Sequence, residues 1–488
     1  MVKKNPLRRL SVALRLTEAY QPAQSPDSMM NAPSLNQFLT DAKASYLKDV
    51  KEDPTKAAAW TVVMGNEAGG VWSLSSLERL TESFADLDTL ASSIAYAWIL
   101  SEVDKVLSVP LLPMERADLS LRAENLHALK MAGLSEDALL TLTELADFRP
   151  QKFALVDHNR LGPTYDPNAE VVAIIDHHHD EGFYLNANPR TISPCGSSAS
   201  LVAALLPPEP PAELCTLLLT AVLLDTDGLK PGGKATDVDR SSALFVATKS
   251  TISNSIPPLS ALSPIDNPDP DALYDAQAIK DLVSTLTLKK TDVSHLGGFD
   301  LLRRDYKEYT HPLPWVPSQP AIKVGLSTVP ARLKAWGSDG RLEKDAVEWM
   351  RRRGLTILGV LTTFRDTKGK MLGKSGKHGK HKREMAWIIL QETEMEQISA
   401  KGLTIDTLAN RLFASLEADT EIEVKKHKKF DVEKSSHLPP KAKVKVYKQG
   451  NAQATRKAIA PLVKKTLEST GPSDSTAESG KEGPASKY

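Results

Sequence analysis

The sequence predicts an α/β protein, with a parallel-sheet domain followed by a smaller mixed α/β domain. Short apolar runs alternate with helical segments, which is typical of βα units and a parallel sheet. Two of the apolar runs, residues 153–156 and 171–175, each end at an Asp-His pair. Because the carboxyl ends of parallel strands meet at one edge of a sheet, we expect these polar side chains to lie together.

Length and composition narrow the class of protein. A chain of 488 residues is long enough for two or more domains. Its formal net charge is zero, so overall charge gives no reason to expect binding to nucleic acid or a membrane. The two cysteines, Cys195 and Cys215, exclude a disulfide scaffold and fit a reducing compartment. No apolar run is long enough to cross a bilayer, so we expect a soluble, cytoplasmic protein.

Residues 1–34 are predicted to be a disordered or targeting extension. All charged residues before the first acid, Glu18, are basic, as in a mitochondrial transit peptide. The segment soon becomes rich in Pro, Gln and Ser, which favours a disordered extension. We therefore expect a cytoplasmic location, with the mitochondrial matrix as the alternative.

The first folded domain is predicted to span residues 35–250. Predicted strands cover residues 60–64, 106–110, 153–156 and 171–175. Predicted helices cover residues 35–50, 90–98, 135–145, 200–206 and 214–224. The last of these is apolar almost throughout, and its length favours a buried helix over a strand.

A Pro- and Ser-rich stretch, residues 251–271, is predicted to be a linker to a second domain at residues 272–467. In that domain we predict helices at residues 300–309, 345–353, 403–415 and 455–467, and strands at 322–329, 356–364 and 385–390. Residues 468–488 are predicted to be a disordered tail.

Five side chains of the first domain are candidate metal ligands: Asp86, Asp88, Asp157, His177 and Asp225. Any one of these residues alone is better explained as a helix or turn cap than as a metal ligand. The presence of the whole set in one α/β domain is better explained by a metal site. Carboxylates dominate and no thiolate is offered, so two Mn²⁺ or Mg²⁺ ions are favoured over a structural zinc. Two ions about 3.5–4 Å apart can activate a water and hold a phosphoryl group. His178 is placed to protonate the leaving oxygen.

The ordered set of motifs resembles the DHH phosphoesterase superfamily. Its motifs match Gly65-Asn66-Glu67 with Asp86-Leu87-Asp88, then Asp157-His158-Asn159, the Asp176-His177-His178 signature and Leu224-Asp225-Thr226. The second half resembles the DHHA2 domain, through Arg-Asp-Tyr-Lys at 304–307, Val-Gly-Leu-Ser-Thr-Val-Pro at 324–330 and Thr-Arg-Lys at 455–457. The similarity spans residues 35–467.

The resemblance implies a DHH domain joined to a smaller DHHA2 domain, with the active site in the cleft between them. The five candidate ligands match the superfamily's metal ligands, and His178 matches the residue that binds and protonates substrate. Lys307, Arg456 and Lys457 match cations that hold phosphate. An Arg guanidinium can donate to two phosphate oxygens at once, and a Lys ammonium supplies a point charge. Without the resemblance, Lys307 would be interpreted as a solvated helix charge.

The identity of residue 66, an asparagine, indicates which substrate the protein hydrolyses. The matching residue in family II inorganic pyrophosphatases is His, whereas an Asn at this position is similar to the fungal exopolyphosphatases. We therefore expect hydrolysis of terminal phosphate from inorganic polyphosphate by two-metal activation of water, with a family II-like pyrophosphatase as the alternative. Inorganic polyphosphate or another small phosphoanhydride is the expected partner of a monomeric chain.

A Gly/Lys/His-rich stretch, residues 368–383, is predicted to be a loop. Two interpretations stay open: a long polyanion lies along it, or it is a solvated loop.

Residues 70–85 depart from the pattern. The resemblance places three residues between Asn66 and the Asp-x-Asp pair, and removing residues 70–85 restores that spacing. We interpret the segment as an aberrant insertion, a short in-frame intron retained in the coding sequence. If it is part of the protein, we expect it to disturb the first metal site, which would leave a polyphosphate-binding pseudoenzyme.

Overall fold

The computed structural model describes residues 34–66, 86–145, 148–162, 165–255, 272–366, 380–390, 403–430, 432–433 and 435–470. These residues divide into two units between Asp292 and Val293. The predicted insertion lies outside the described residues, as do nearly all of the N-terminal extension, the linker and the tail.

The first unit contains six strands and the helices that cover them. The strands are β1 (Thr61–Met64), β2 (Ser108–Leu112), β3 (Leu140–Thr141), β4 (Lys152–Val156), β5 (Glu170–Asp176) and β6 (Arg190–Ile192). The described helices are α1 (Leu35–Glu52), α2 (Pro54–Ala58), α3 (Leu87–Trp98), α4 (Ala123–Met131), α5 (Leu142–Leu145), α6 (Ser198–Ala203), α7 (Ala212–Asp225), α8 (Asp237–Lys249), α9 (Ala272–Asp275) and α10 (Gln277–Thr291).

The six strands form one parallel sheet in the order β3-β2-β1-β4-β5-β6. All residues of β1 and β2 are buried, because helices cover both faces of a parallel sheet. This burial explains why the strands appear in the sequence as continuous apolar runs. The predicted parallel sheet is confirmed.

Helix α7 is the buried helix that its apolar run predicts, with every residue from Leu214 to Leu223 buried. The predicted helix at residues 135–145 is wrong. A 3₁₀ turn at Glu136–Ala138, strand β3 and the single turn of α5 take its place. The side chain of Glu144 accepts hydrogen bonds from the amide and hydroxyl of Thr141, which holds the chain extended there.

The second unit is built on a mixed sheet. Its strands are β7 (Tyr306–Pro312), β8 (Ala321–Val329), β9 (Ile357–Thr362), β10 (Phe364–Asp366), β11 (Lys380–Ile389), β12 (Val424–Lys426) and β13 (Lys443–Gln449). Its described helices are α11 (Gly298–Arg304), α12 (Leu333–Trp336), α13 (Arg341–Arg353), α14 (Ile405–Ala418) and α15 (Arg456–Glu468). The strand order is β12-β13-β11-β9-β8-β7, and only β8 and β9 run parallel.

Two predictions for this unit need correction. The charged helix at residues 300–309 ends at Arg304, and Lys307 lies on strand β7, because residues from Tyr306 onward pair with β8. The predicted loop at 368–383 is strand from Lys380 onward, where β11 pairs with β10 and β13. Residues 368–379 of that loop lie outside the described residues.

Helix α10 packs against α4 and α7 and belongs to the first unit, which extends to Asp292. Within the described ranges, no helix is both long and apolar enough to cross a membrane.

Gly359 provides a test of core packing in the second unit. It lies on β9, paired with Trp387 of β11 and Leu326 of β8. A Cβ at this position would lie 2.7 Å from the Trp387 ring and 2.8 Å from Leu326. Overpacking of this kind costs about 1–3 kcal/mol, so Gly359→Ala is expected to lower the free energy of unfolding by that amount.

Chemical-denaturant unfolding measures the change, with Gly297→Ala as the matched control. A Cβ on Gly297 meets no atom closer than 4.0 Å, so its effect is expected to stay within about 1 kcal/mol. Equal losses for both variants would contradict tight packing around Gly359.

Candidate metal centre

The strand order of the parallel sheet reverses between β1 and β4. From β1 the chain winds outward through β2 and β3, and from β4 it winds the other way through β5 and β6. Ligands of open α/β sheets bind in the crevice at such a reversal, beyond the carboxyl ends of the strands. Asn66 follows β1 closely and Asp157 follows β4 directly, so the predicted motifs begin at this crevice.

Asp157 leaves strand β4 in a left-handed conformation, with φ of 62°. Asp tolerates this conformation better than most residues other than Gly. Its carboxylate is almost fully buried. Oδ2 accepts a hydrogen bond of 2.6 Å from the hydroxyl of Thr89, and Oδ1 lies 3.2 Å from Nε2 of His177.

The start of helix α3 brings two more carboxylates to the crevice. Asp86 is the N-cap and accepts a hydrogen bond of 3.1 Å from the Thr89 amide. Asp88 lies in the first turn and is 1% exposed. Both of its oxygens accept hydrogen bonds of 2.7 Å, from the amides of Ser198 and Ala199. Oδ2 of Asp88 also lies 3.9 Å from Nε2 of His177.

His177 is held in the tautomer that suits a metal ligand. Its Nδ1 lies 3.1 Å from the carbonyl oxygen of Cys195, so we assign the ring proton to Nδ1. Nε2 faces Asp157 and Asp88, and it would offer a lone pair there once a metal displaces the proton that it shares with Asp157. A carbonyl that fixes the ring in this way is a common feature of metal-binding histidines.

His178 is turned by a different partner. Its Nδ1 lies 2.7 Å from Oδ1 of Asp176, which also accepts hydrogen bonds from the amides of His177 and His178. Burial acts to raise the pKa of Asp176, but the hydrogen bonds from His178 and Asn159 and the nearby imidazole charge lower it below its ordinary value. Asp176 therefore serves to position His178, a role that we did not predict for it.

Asn159 ties the loops after β4 and β5 together. Its side-chain amide donates to Oδ2 of Asp176 at 2.5 Å and to the carbonyl of His179 at 2.9 Å. Its side-chain oxygen accepts from the amide of Glu181 at 3.1 Å. The Asp-His-Asn and Asp-His-His motifs are thus joined by direct hydrogen bonds.

The buried carboxylates repel one another. Burial raises the pKa of Asp88, and the charge of Asp157 raises it further. Burial likewise raises the pKa of Asp157 and of Asp225, at the end of α7, with Asp86 adding to both. Direct contacts therefore connect Asp88 and Asp157 to His177, and the charges of Asp86 and Asp88 also act on Asp225.

A divalent cation fits this arrangement. The carboxylates need positive charge, and oxygen ligands with one imidazole suit Mn²⁺ or Mg²⁺. Among the described residues, ligand atoms of Asp157, His177 and His178 lie within 4.8 Å of one another. Since Nδ1 of His178 is engaged by Asp176, we favour Asp88 over His178 as a ligand beside Asp157 and His177.

The three predicted phosphate-binding cations lie in the second unit. Lys307 is buried on β7, and Arg456 is buried at the start of α15, with Nη1 2.9 Å from Oδ1 of Asp305. Lys457 is the next residue of that helix and is exposed. Helix α15 packs against β7, so Lys307 and Arg456 lie on neighbouring elements.

The first unit is a parallel α/β fold with buried Asp and His side chains at its switch point, and the second unit is built on a mixed sheet. This combination defines the class of two-domain DHH proteins. The DHH family, N-terminal domain, matches residues 80–224, and the DHHA2 domain matches residues 284–466. The chain therefore contains a DHH N-terminal domain and a DHHA2 domain, as predicted.

Several known proteins are similar to this chain. A Schizosaccharomyces pombe protein named "Putative exopolyphosphatase" is 29% identical over 310 residues, covering 59% of this chain and 73% of its own. Exopolyphosphatase PRUNE1 of Rattus norvegicus is 25% identical over 435 residues, covering 86% of this chain and 78% of its own. A crystal structure of a "putative family II inorganic pyrophosphatase" from Methanococcus jannaschii is 19% identical, with a TM-score of 0.38, and covers 69% of this chain and 90% of its own.

Mn²⁺ is expected to raise the melting temperature more at about pH 8 than at about pH 6, because at low pH it must displace protons from carboxylates whose pKa is raised. A raised carboxyl pKa also stabilises the metal-free protein at low pH, and this stability is lost as pH rises through the folded-state pKa. Burial acts to lower the pKa of His177, but its hydrogen bond to Asp157 and the nearby carboxylate charges raise it. His177 therefore also stabilises the metal-free protein at low pH, and this stability is lost as pH rises through its folded-state pKa.

Thermal unfolding with and without saturating Mn²⁺ at both pH values measures the effect, and KCl of equal ionic strength is the control. A larger Mn²⁺ stabilisation at the lower pH would contradict binding by these carboxylates.

Proposed function

We propose that the protein is a metal-dependent exopolyphosphatase, a phosphoanhydride hydrolase that removes terminal phosphate from inorganic polyphosphate. One observation carries the proposal: Nδ1 of His178 is held by Asp176 and lies 3.8 Å from Oδ1 of Asp157, one of the cluster of buried carboxylates. A proton donor next to such a cluster suits phosphoryl transfer to water. Similarity to proteins named exopolyphosphatase supports the choice of substrate.

Two divalent cations, Mn²⁺ or Mg²⁺, would be held by Asp86, Asp88, Asp157, His177 and Asp225. When bound, they would lower the pKa of a water and draw charge from the phosphoryl oxygens. A carboxylate can accept about four hydrogen bonds. The hydrogen bonds to Asp88 and Asp157 therefore fix their orientation and leave capacity for a cation.

His178 would supply the proton that the leaving phosphate oxygen needs. In the imidazolium form, Nδ1–H stays with Oδ1 of Asp176 and the Nε2 proton is the one that is transferred. The carboxylate of Asp176 orients the ring and stabilises its positive charge, the role that the Asp has in Asp–His pairs of other hydrolases.

Lys307, Arg456 and Lys457 would bind phosphate oxygens of the substrate. Arg456 is already oriented by Asp305, which lowers the rotamer entropy that binding must overcome. Lys457 adds a solvated point charge at the first turn of α15, where backbone amides also favour an anion.

Phosphate release should be faster from long-chain polyphosphate than from pyrophosphate, with Mn²⁺ or Mg²⁺ present, because Asn66 replaces the pyrophosphatase His. A colorimetric phosphate assay on both substrates, with an EDTA-treated control, measures this preference. Turnover of pyrophosphate alone would refute the proposed substrate. Binding of polyphosphate without turnover would point to a pseudoenzyme.

His178→Ala is expected to slow hydrolysis by about 10²- to 10⁴-fold, the usual contribution of a general acid. Mn²⁺ affinity should change far less, because His178 is not a proposed ligand. His179→Ala is the matched control, since His179 is the next residue and is exposed. Unchanged turnover in His178→Ala, or equal loss in both variants, would remove the acid role from His178.

A further inference from the structure

The loop at residues 195–199 orients two of the proposed metal ligands at once. The carbonyl of Cys195 accepts the ring proton of His177 at 3.1 Å. Three residues later, the amides of Ser198 and Ala199 hold both oxygens of Asp88 at 2.7 Å. A shift of this loop would therefore turn an imidazole and a carboxylate together.

The same loop packs closely against the third ligand segment. A Cβ on Gly196 would lie 2.5 Å from Cγ2 of Thr226 and 3.1 Å from Oδ2 of Asp239. Thr226 directly follows Asp225, the ligand at the end of α7. Glycine is the residue that allows this approach, so the loop fits between the Asp225 segment and the start of α8.

Asp239 anchors the loop from the side away from the ligands. Its side chain is fully buried, and Oδ2 accepts hydrogen bonds from the Gly196 amide at 2.8 Å and the Thr236 amide at 2.7 Å. Oδ1 accepts from the Ser197 amide at 3.2 Å and the Ser200 hydroxyl at 2.6 Å. The Thr236 hydroxyl adds a fifth hydrogen bond, at 2.8 Å.

Helix capping explains only part of this arrangement. Asp239 lies three residues after Thr236, and the two residues form the capping box of α8: the Asp239 carboxylate accepts from the Thr236 amide, and the Thr236 side chain accepts from the Asp239 amide. The bonds from Gly196, Ser197 and Ser200 contribute nothing to that cap. They reach across 39 to 43 residues of sequence to the segment that holds Asp88. Without Asp239, the buried amides of Gly196 and Ser197 would lack an acceptor, which the loop could regain only by moving.

We propose that Asp239 is a positioning residue of the metal centre, which sets the orientation of Asp88 and His177 through the loop at residues 195–199. The proposal rests on the metal-dependent function proposed above. Residues that support metal ligands in this way change metal affinity when they are replaced, although they do not touch the ion.

Mn²⁺ binding by the full-length chain, without substrate, tests the proposal. Asp239→Asn places an NH₂ group among five donors and is expected to weaken Mn²⁺ binding by about 10- to 100-fold, measured by calorimetry and by the electron paramagnetic resonance of free Mn²⁺. Asp237→Asn is the matched control: it makes the same change in the first turn of the same helix, at an exposed side chain. Its Mn²⁺ affinity should match the wild type.

Two further variants separate positioning from folding. Thr236→Ala removes the one hydroxyl that binds Asp239 from the cap side, and is expected to lower the melting temperature with little change in Mn²⁺ affinity, because the three bonds from the loop to Asp239 remain. Ser200→Ala removes one bond on the loop side and, if Asp239→Asn does not fold, replaces it as the test, with a loss of roughly two- to tenfold in affinity.

The outcomes distinguish this proposal from the one on which it rests. Folded Asp239→Asn that binds Mn²⁺ like the wild type, or Ser200→Ala without any loss, would overturn the positioning role. Wild-type protein that binds no Mn²⁺ would overturn the metal centre itself, and the positioning role with it. Failure to hydrolyse polyphosphate would refute the substrate and leave the binding comparison valid.

Discussion

Like charge buried at one edge of a sheet is the constraint on which the first unit depends. Two carboxylates about 4 Å apart repel by about 4 kcal/mol at an effective dielectric constant near 20, and burial makes each charge costlier still. Burial first, and neighbouring carboxylates second, raise the pKa of Asp88, Asp157 and Asp225. A chain keeps such a cluster where cations offset the repulsion, and the same cations then become available to the substrate.

The candidate ligands Asp88 and Asp157 are each held by a group from another part of the chain. Thr89 of α3 holds Asp157 after β4, and the amides at the start of α6 hold Asp88 of α3. Asn159 after β4 holds Asp176 at the end of β5, and Asp176 turns His178. The hydrogen bonds run across the crevice between loops, so the site has one arrangement that all its loops must share. This is how a parallel sheet, whose strands only deliver side chains to an edge, acquires a defined coordination geometry.

The candidate ligands Asp157 and His177 carry a local signal in the sequence, because each directly follows an apolar strand. The supporting residues carry no such signal. Asp239 looks like an ordinary cap three residues after Thr236, and only folding brings it to Gly196, 43 residues earlier in the chain. Lys307 was assigned to a helix because charges recur around it, but pairing with β8 makes it strand. Strand β13, Lys443–Gln449, was not predicted, although its first four residues alternate Lys and Val.

The contacts on either side of residues 67–85 bear on whether that segment disturbs the site. Gly65, at the end of β1, lies so close to α3 that a Cβ there would be 2.2 Å from Cγ2 of Thr89. Thr89 in turn donates to Asp157 at 2.6 Å. Gly65 and Thr89, which precede and follow the segment in the chain, are therefore adjacent in the core. Lengthening a loop costs only about 0.6 kcal/mol for each doubling of its length. Growth from a few residues to about twenty thus costs roughly 1–2 kcal/mol by the same scaling. Helix α3 is buried along its length from Leu87 to Ala97, so its position depends on packing as well as on the chain that precedes it, and the disturbance of Asp86 and Asp88 by an inserted segment stays a prediction.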